Sequence, residues 1–156
     1  MTDVSLDQVA SAPVAVIRRS LAVAELPAFF QDAFAGVLAA VSAAGAQVCG
    51  PPFGWYRGVP GATVDASAGF PVPSGLSLAP AGGPGPGAVV LERPGGRAGV
   101  AVHLGSYDLL GRTYAEVIAW LSSQGLTPRG DMWEEYLSEP VGDPAGWRTR
   151  VVVPVG

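Results

Sequence analysis

The chain has 156 residues and a net charge of −4, with 49% hydrophobic and only 14% charged side chains. This composition excludes an intrinsically disordered chain, which combines low hydrophobicity with high net charge. All nine basic residues are arginines, and they form no basic patch. Because nucleic-acid affinity depends on neutralising phosphates, we expect no direct DNA or RNA partner.

Three features bear on the compartment. The longest apolar run, in 33–48, is interrupted by glycine and polar residues and is too short to span a bilayer. The N-terminus lacks the basic start and apolar stretch of a signal peptide. A single cysteine, Cys49, cannot form an internal disulfide, which favours a reducing compartment. The sequence therefore predicts a cytoplasmic protein with no membrane partner.

The first half of the chain predicts two strands, a helix and two further strands. The predicted strands are 3–9, 13–19, 47–56 and 63–72. Apolar side chains with helical spacing predict the buried face of the helix, formed by Phe30, Phe34, Val37, Leu38 and Val41. Pro27 suits the first turn of this helix, and Gly45 suits its end.

The second half repeats this order of elements. Its predicted strands are 87–93, 97–104, 131–138 and 147–154. Pro94-Gly95-Gly96 predicts a turn that joins the first two strands. Ser106 is the expected N-cap of the helix, and Gly125 is its expected end. The buried stripe of this helix is predicted to be Leu110, Tyr114, Val117 and Leu121.

Matched residue classes in the same order indicate a duplication, with Phe53 over Trp133 and Tyr56 over Tyr136. We predict one α+β domain, 1–156, made of duplicated β-β-α-β-β units with antiparallel sheets. Its parts are a first repeat 1–75, a linker 76–87 and a second repeat 88–156. Each unit offers one amphipathic helix to one face of its sheet. Two such units can pack as a pseudo-twofold pair around a central ligand cleft, where their open sheet faces meet.

Several short motifs together carry a family signature. They are Glu92-x-Pro94, His103-x-Gly105-Ser106-Tyr107, Trp133-Glu134-x-Tyr136-Leu137-x-x-Pro140, Thr149-x-Val151-x-x-Pro154-Val155 and Gly50-Pro51-Pro52-Phe53. The pattern resembles the GyrI-like family, which includes the effector-binding domains of some AraC- and MerR-type regulators. The resemblance implies a stand-alone member with a central aromatic pocket. It also implies an acidic residue at the base of the pocket and apolar cationic drugs as ligands.

The segment around Glu134 contains the residues of greatest chemical interest. In a strand, Met132, Glu134 and Tyr136 share one face, and Trp133 and Glu135 share the other. Alternation alone does not decide which carboxylate enters a cleft, and the family resemblance assigns Glu134. A buried carboxylate can balance a cationic ligand or exchange a proton. The alternative is a solvated surface glutamate.

Met132 is a candidate ligand contact beside Glu134 and Tyr136, and the other candidates are aromatic. They are Tyr56, by equivalence to Tyr136, then Trp147, Tyr107, and one of Phe53 and Trp55. Core packing is the alternative for each of them. His103, the only histidine, is included as a candidate contact, although a structural hydrogen-bonding role is the simpler interpretation. The sequence has no metal-ligand spacing and predicts no metal or cofactor.

Three functions fit these residues. The prediction is multidrug-type binding or sequestration of apolar, often cationic, aromatic molecules. One alternative is a hydrolase that opens cyclopropane-bearing genotoxins, with Glu134 as acid or base and Tyr136 orienting the reacting group. Another is a protein-interaction module such as a gyrase modulator, which the low charge content disfavours.

Overall fold

A computed structural model describes residues 3–58, 61–79 and 87–156. These residues form eight strands and two α-helices, and each helix follows a short 3-10 turn. The strands are β1 (Val4–Val9), β2 (Ala12–Ala22), β3 (Phe53–Arg57), β4 (Thr63–Pro71), β5 (Val89–Arg93), β6 (Gly96–Leu104), β7 (Asp131–Tyr136) and β8 (Arg148–Pro154). The helices are α1 (Leu26–Ala43) and α2 (Leu110–Ser123).

The chain forms two compact units. The first comprises Gly95–Gly156 and the described part of Met1–Ala10, and the second comprises Ser11–Pro94. The strand order is β1-β6-β8-β7 in the first unit and β3-β4-β2-β5 in the second, with antiparallel pairing in each. Helix α2 packs on the first sheet and α1 on the second. The predicted fold class, duplicated α+β units with antiparallel sheets, is confirmed.

The compact units do not coincide with the two sequence repeats. The first strand of each repeat belongs to the compact unit formed by the rest of the other repeat. Strand β1 pairs with β6, and β5 pairs with β2. Pro94-Gly95 joins β5 to β6 as the sequence predicted, but these two strands do not pair with each other. A turn-forming sequence allows flanking strands to pair but does not require it, because strands pair where their apolar faces are best buried. Within the predicted linker, residues 80–86 lie outside the described part of the chain.

Helix α1 buries a stripe with four-residue spacing, Phe29, Ala33, Val37 and Val41. The predicted stripe is rotated from this one, since Leu38 is 44% exposed. Phe30 and Phe34 are half-buried on its flank. Successive residues of a helix differ by about 100° in direction, so Val37 and Leu38 cannot both point at the centre of the sheet.

Helix α2 follows the prediction more closely. Leu110, Val117 and Leu121 are buried, Thr113 joins them, and Tyr114 is half-buried. Gly125 follows this helix with φ 72°, in the left-handed region that favours glycine and ends helices.

One helical stretch among the described residues, Val23–Ala43, is long enough and apolar enough to cross a membrane, with a mean hydropathy of 1.4. The core helix of a globular domain satisfies the same criteria, and α1 buries one face against its sheet. The absence of a membrane partner and the cytoplasmic location stay predictions.

Candidate functional site

Glu134 lies on the face of its sheet that helix α2 covers. It is opposite Val151 of β8, which packs together with Val117 of α2 in one apolar cluster. Residues directly opposite each other on paired strands point to the same face. The sequence predicted a ligand cleft at the open sheet faces, whereas Glu134 lies on the face that helix α2 covers. The apolar residues of β8 that share its face are those that pack against the helix.

Two tyrosine hydroxyls hold the Glu134 carboxylate. Tyr136 donates to Oε1 at 2.6 Å, and Tyr114 donates to Oε2 at 2.9 Å. The glutamate itself is only 5% exposed. Hydrogen bonds to a carboxylate are short and strong, and they offset part of the cost of removing it from water. These donors are neutral, so they stabilise the negative charge without cancelling it.

Tyr114 is a site residue that the sequence analysis placed only in the buried stripe of α2. Its ring packs against the apolar cluster beneath the helix, and its hydroxyl reaches Glu134. A signal was available, because Tyr114 is the one stripe residue with a polar tip and corresponds to Phe34 in the first repeat. The hydroxyl is what distinguishes the two repeats at this position.

Tyr107 joins this group from the 3-10 turn Tyr107–Leu109 that precedes α2. Its ring centroid lies 5.5 Å from that of Tyr136 and 5.2 Å from that of Trp147. Burial raises the pKa of the Tyr107 hydroxyl, and the negative charge of Glu134 raises it further. The charge of Glu134 therefore acts on this ring, and Tyr107 stays a neutral phenol.

We call the group of Tyr107, Tyr114, Glu134, Tyr136 and Trp147 the acidic aromatic site. Four of its members were predicted as ligand contacts. The indole of Trp147 donates to the carbonyl of Val141 at 3.1 Å, which fixes the orientation of its ring. Met132, a further predicted contact, precedes Glu134 on the same face of β7 and packs against the apolar cluster under α2.

Glu135 has a different environment. It lies on the opposite face of β7, where its Oε2 accepts a hydrogen bond from Arg150 at 2.9 Å and one from the Trp133 indole at 3.0 Å. Trp133 is fully buried on that face. A salt bridge to arginine satisfies the charge of Glu135 within the sheet. The two neighbouring glutamates therefore have separate roles, as strand alternation predicted.

His103 has both ring nitrogens in use. Nδ1 lies 2.7 Å from the Thr113 hydroxyl, and Nε2 lies 2.9 Å from the Ser106 carbonyl oxygen. A carbonyl only accepts, so Nε2 donates to it, and in a neutral imidazole Nδ1 then accepts from the Thr113 hydroxyl. This arrangement ties β6 to the start of α2 and supports the structural interpretation of His103. The Ser106 hydroxyl does not cap the turn.

The candidates on β3 point to two different faces. Tyr56 lies on the α1 face, with its ring 6.3 Å from that of Phe30. Phe53 and Trp55 are buried on the other face, where guanidinium groups lie over their rings: Arg93 over Phe53 at 4.5 Å and Arg57 over Trp55 at 3.9 Å. Strand alternation makes this separation obligatory, so Tyr56 cannot share a surface with Phe53 or Trp55.

Two further features concern metal ligands and a surface groove. No three His, Cys, Asp or Glu side chains among the described residues come together as metal ligands. A groove of about 500 Å³ lies along α2 and β6 and includes Val102, Leu109 and Arg112. None of its lining residues belongs to the acidic aromatic site.

The chain matches a known family of proteins over nearly its whole length. A family model described as a GyrI-like small molecule binding domain matches residues 2–156. No protein of curated function matches the sequence. Among the sequence comparisons, the family model is therefore the one that shows a relationship.

Several solved structures share the fold. The EcmrR C-terminal domain has a TM-score of 0.82 at 17% identity, and the match covers 100% of this chain and 98% of that chain. SAV2435 bound to tetraphenylphosphonium has a TM-score of 0.66 at 14% identity and coverages of 99% and 94%. A hydrolase from Listeria innocua has a TM-score of 0.62 at 14% identity and coverages of 99% and 92%. The structural likeness shows a common fold, and the match of the family model shows that the chain belongs to the GyrI-like family of small-molecule-binding domains.

Proposed function

We propose that this domain binds apolar aromatic cations at the acidic aromatic site, with Glu134 as the counter-charge. The observation that carries the proposal is the buried carboxylate held by two hydroxyl donors. A cation with delocalised or shielded charge is weakly hydrated and leaves water at low cost. In a desolvated site, its attraction to a carboxylate is much stronger than in water.

The rings around Glu134 supply the second requirement for such a ligand. Tyr107 packs against both Tyr136 and Trp147, and the hydroxyl of Tyr136 reaches the carboxylate. A cation over an aromatic face gains about 0.5–2 kcal/mol, and the larger values apply when water is excluded. One negative charge flanked by several rings therefore favours a ligand that carries its positive charge among aromatic groups.

The relatives give independent support for this ligand class. SAV2435 was solved with tetraphenylphosphonium, a permanent cation surrounded by four phenyl rings. SAV2435 resembles this chain in fold, and its ligand tetraphenylphosphonium is therefore the first probe to use. It has no hydrogen-bonding group, and its charge does not change with pH.

The test compares tetraphenylphosphonium with neutral triphenylphosphine oxide by isothermal titration calorimetry. We expect the wild-type domain to prefer the cation. Glu134→Gln should weaken cation binding by about 30- to 100-fold, because a buried charge pair loses one partner. The neutral compound should be affected little, since the two side chains have nearly the same shape.

Glu135→Gln is the matched control. It makes the same chemical change one residue away, on the opposite face, so both affinities should stay within about twofold. An equal loss of cation affinity in both variants, or a loss confined to Glu135→Gln, would contradict the proposal.

A second candidate function is hydrolysis of a strained electrophile such as a cyclopropane-bearing alkylator. The hydrogen bond of 2.6 Å between Tyr136 and Glu134 is the arrangement that favours it, because two proton-exchanging groups are in direct contact. A structural relative described as a hydrolase supports the possibility of chemistry on this fold.

Single-turnover kinetics on such an alkylator, beside equilibrium binding of an inert analogue, separates the two functions. If the domain is a hydrolase, Glu134→Gln should keep analogue affinity within about tenfold and slow turnover by about 10²–10⁴-fold. Tyr136→Phe should lose less, because its ring still packs. A wild-type domain that binds the analogue and leaves the electrophile intact removes the hydrolase and leaves sequestration standing.

A further inference from the structure

Thr149 has a buried hydroxyl that the protein leaves unsatisfied. The residue is 0% exposed, and its Oγ1 has no hydrogen-bond partner. A buried hydroxyl without a partner destabilises a fold, so such groups are rare in cores. A valine of nearly the same shape would suit the site better if packing were its only role.

The position of Thr149 connects it to the acidic aromatic site. It lies on β8 directly opposite Tyr136 of β7 on one side and His103 of β6 on the other. Residues opposite each other share a sheet face. The hydroxyl therefore lies on the Glu134 side of the sheet, in a row of three polar side chains that crosses three strands.

Both neighbours of Thr149 direct their groups elsewhere. His103 uses one nitrogen with Thr113 and the other with the Ser106 carbonyl. Tyr136 donates its hydroxyl proton to Glu134. The hydroxyl of Thr149 thus has no partner within the fold, and the half-buried ring of Tyr136 lies between it and a ligand group.

Resting on the proposed function, we propose that the Thr149 hydroxyl hydrogen-bonds a polar atom of the bound cation. The ligand class then narrows to aromatic cations that also carry a hydroxyl, carbonyl or amine group. Glu134 and the rings recognise the cation as such, and Thr149 selects among cations. Access requires the Tyr136 ring to move aside on binding, with the ligand cation taking over its interaction with Glu134, and side-chain changes of this kind are common when ligands bind.

The test uses two cations that differ by one hydroxymethyl group, tetraphenylphosphonium and (4-hydroxymethylphenyl)triphenylphosphonium, whose alcohol does not ionise. We expect the wild-type domain to bind the hydroxylated cation about five- to tenfold more tightly, the gain from one added hydrogen bond. Thr149→Val should erase this preference while keeping the affinity for tetraphenylphosphonium. Thr149→Ser, which keeps the hydroxyl, should keep the preference.

Ser67 provides a control in the other compact unit. It is 1% exposed, its Oγ also has no partner, and it lies opposite Trp55 on the face away from α1. Removing either unsatisfied hydroxyl, by Thr149→Val or Ser67→Ala, should raise Tm by about 2–4 °C. Only Thr149→Val should change the ratio of the two affinities.

The outcomes separate this inference from the function on which it rests. If neither cation binds, the proposed function fails and the inference fails with it. If both bind and the wild type shows no preference, or Thr149→Val retains it, the role of Thr149 is refuted while cation binding stands. A fall in Tm for Thr149→Val would also refute it, because the hydroxyl would then be satisfied within the fold.

Discussion

The two compact units share one scaffold and differ in the chemistry that it carries. On β7, Glu134 stands two residues before Tyr136, and at the equivalent position of β3, Gly54 stands two residues before Tyr56. Both tyrosines lie on the helix-covered face of their sheets. The two units therefore share a fold, and one carries a carboxylate where the other has a glycine. Function on this fold depends on a few side chains and is not a property of the scaffold.

The helices show the same contrast. Helix α2 presents the hydroxyl of Tyr114 to Glu134, whereas α1 carries Phe34 at the matching position. Phe34 stacks on Phe30 at 5.9 Å and meets Phe70 edge-on at 5.7 Å. These rings pack together through apolar contacts, whereas those of the acidic aromatic site surround a charge. The difference predicts that polar substitutions will affect ligand binding in one unit and not in the other.

The largest expected effect concerns a feature that the units have in common. Phe53 and Trp133 are equivalent buried rings, each on the face away from its helix. Phe53→Ala and Trp133→Ala should each lower the free energy of unfolding by about 3–5 kcal/mol, because a large cavity is left in a close-packed region. Urea denaturation measures this loss. A variant that kept its stability but lost its preference for cations would show that the ring lines the ligand site.

A smaller effect, on ligand affinity, is expected from Tyr114→Phe. This change gives the acidic aromatic site the residue that the other unit has at this position, Phe34. The hydroxyl of Tyr114 stabilises the ionised carboxylate of Glu134. Without it, affinity for tetraphenylphosphonium should fall by about three- to tenfold. Isothermal titration calorimetry at constant pH measures this change. The reverse substitution, Phe34→Tyr, should leave affinity unchanged, and an equal loss there would mean that the effect is general.

The smallest effect concerns the titration of Tyr107. Its pKa is raised above the ordinary 10.0, first by burial and second by the charge of Glu134. Glu134→Gln should lower this pKa without restoring the ordinary value, because burial persists. Ultraviolet absorbance of the phenolate measures it, with Tyr107→Phe to assign the signal. An unchanged titration would show that the charge of Glu134 does not reach the ring.

The same raised pKa makes stability depend on alkaline pH. The phenol of Tyr107 stays protonated in the folded domain when it already ionises in the unfolded chain. Its contribution to stability is complete below the unfolded pKa and is lost as the pH rises through the folded value. Tyr107→Phe should therefore flatten the fall in stability above about pH 10. Urea midpoints at increasing pH measure that slope.

The sequence predicted what depends on local geometry. Strand alternation separated Glu134 from Glu135 because the period of two is a property of the backbone. The same rule, applied to β3, would have separated Tyr56 from Phe53 and Trp55. The pairing of β1 with β6 and the contact of Tyr114 with Glu134 could not be read in this way. Both join residues that are distant in the chain. Strand pairing depends on which partner strand buries the most apolar surface, and that depends on the whole fold.

The central claim is that Glu134 and its rings hold the positive charge of the ligand. Crystals of the domain with tetraphenylarsonium test it most directly, because anomalous scattering locates the arsenic atom without reference to the protein. We predict one strong peak within about 6 Å of the ring centroids of Tyr107 or Tyr136, on the side of the Glu134 carboxylate. The peak should weaken sharply in crystals of Glu134→Gln. An arsenic peak in the groove beside Val102 and Leu109, or one of equal strength without the carboxylate, would contradict the claim.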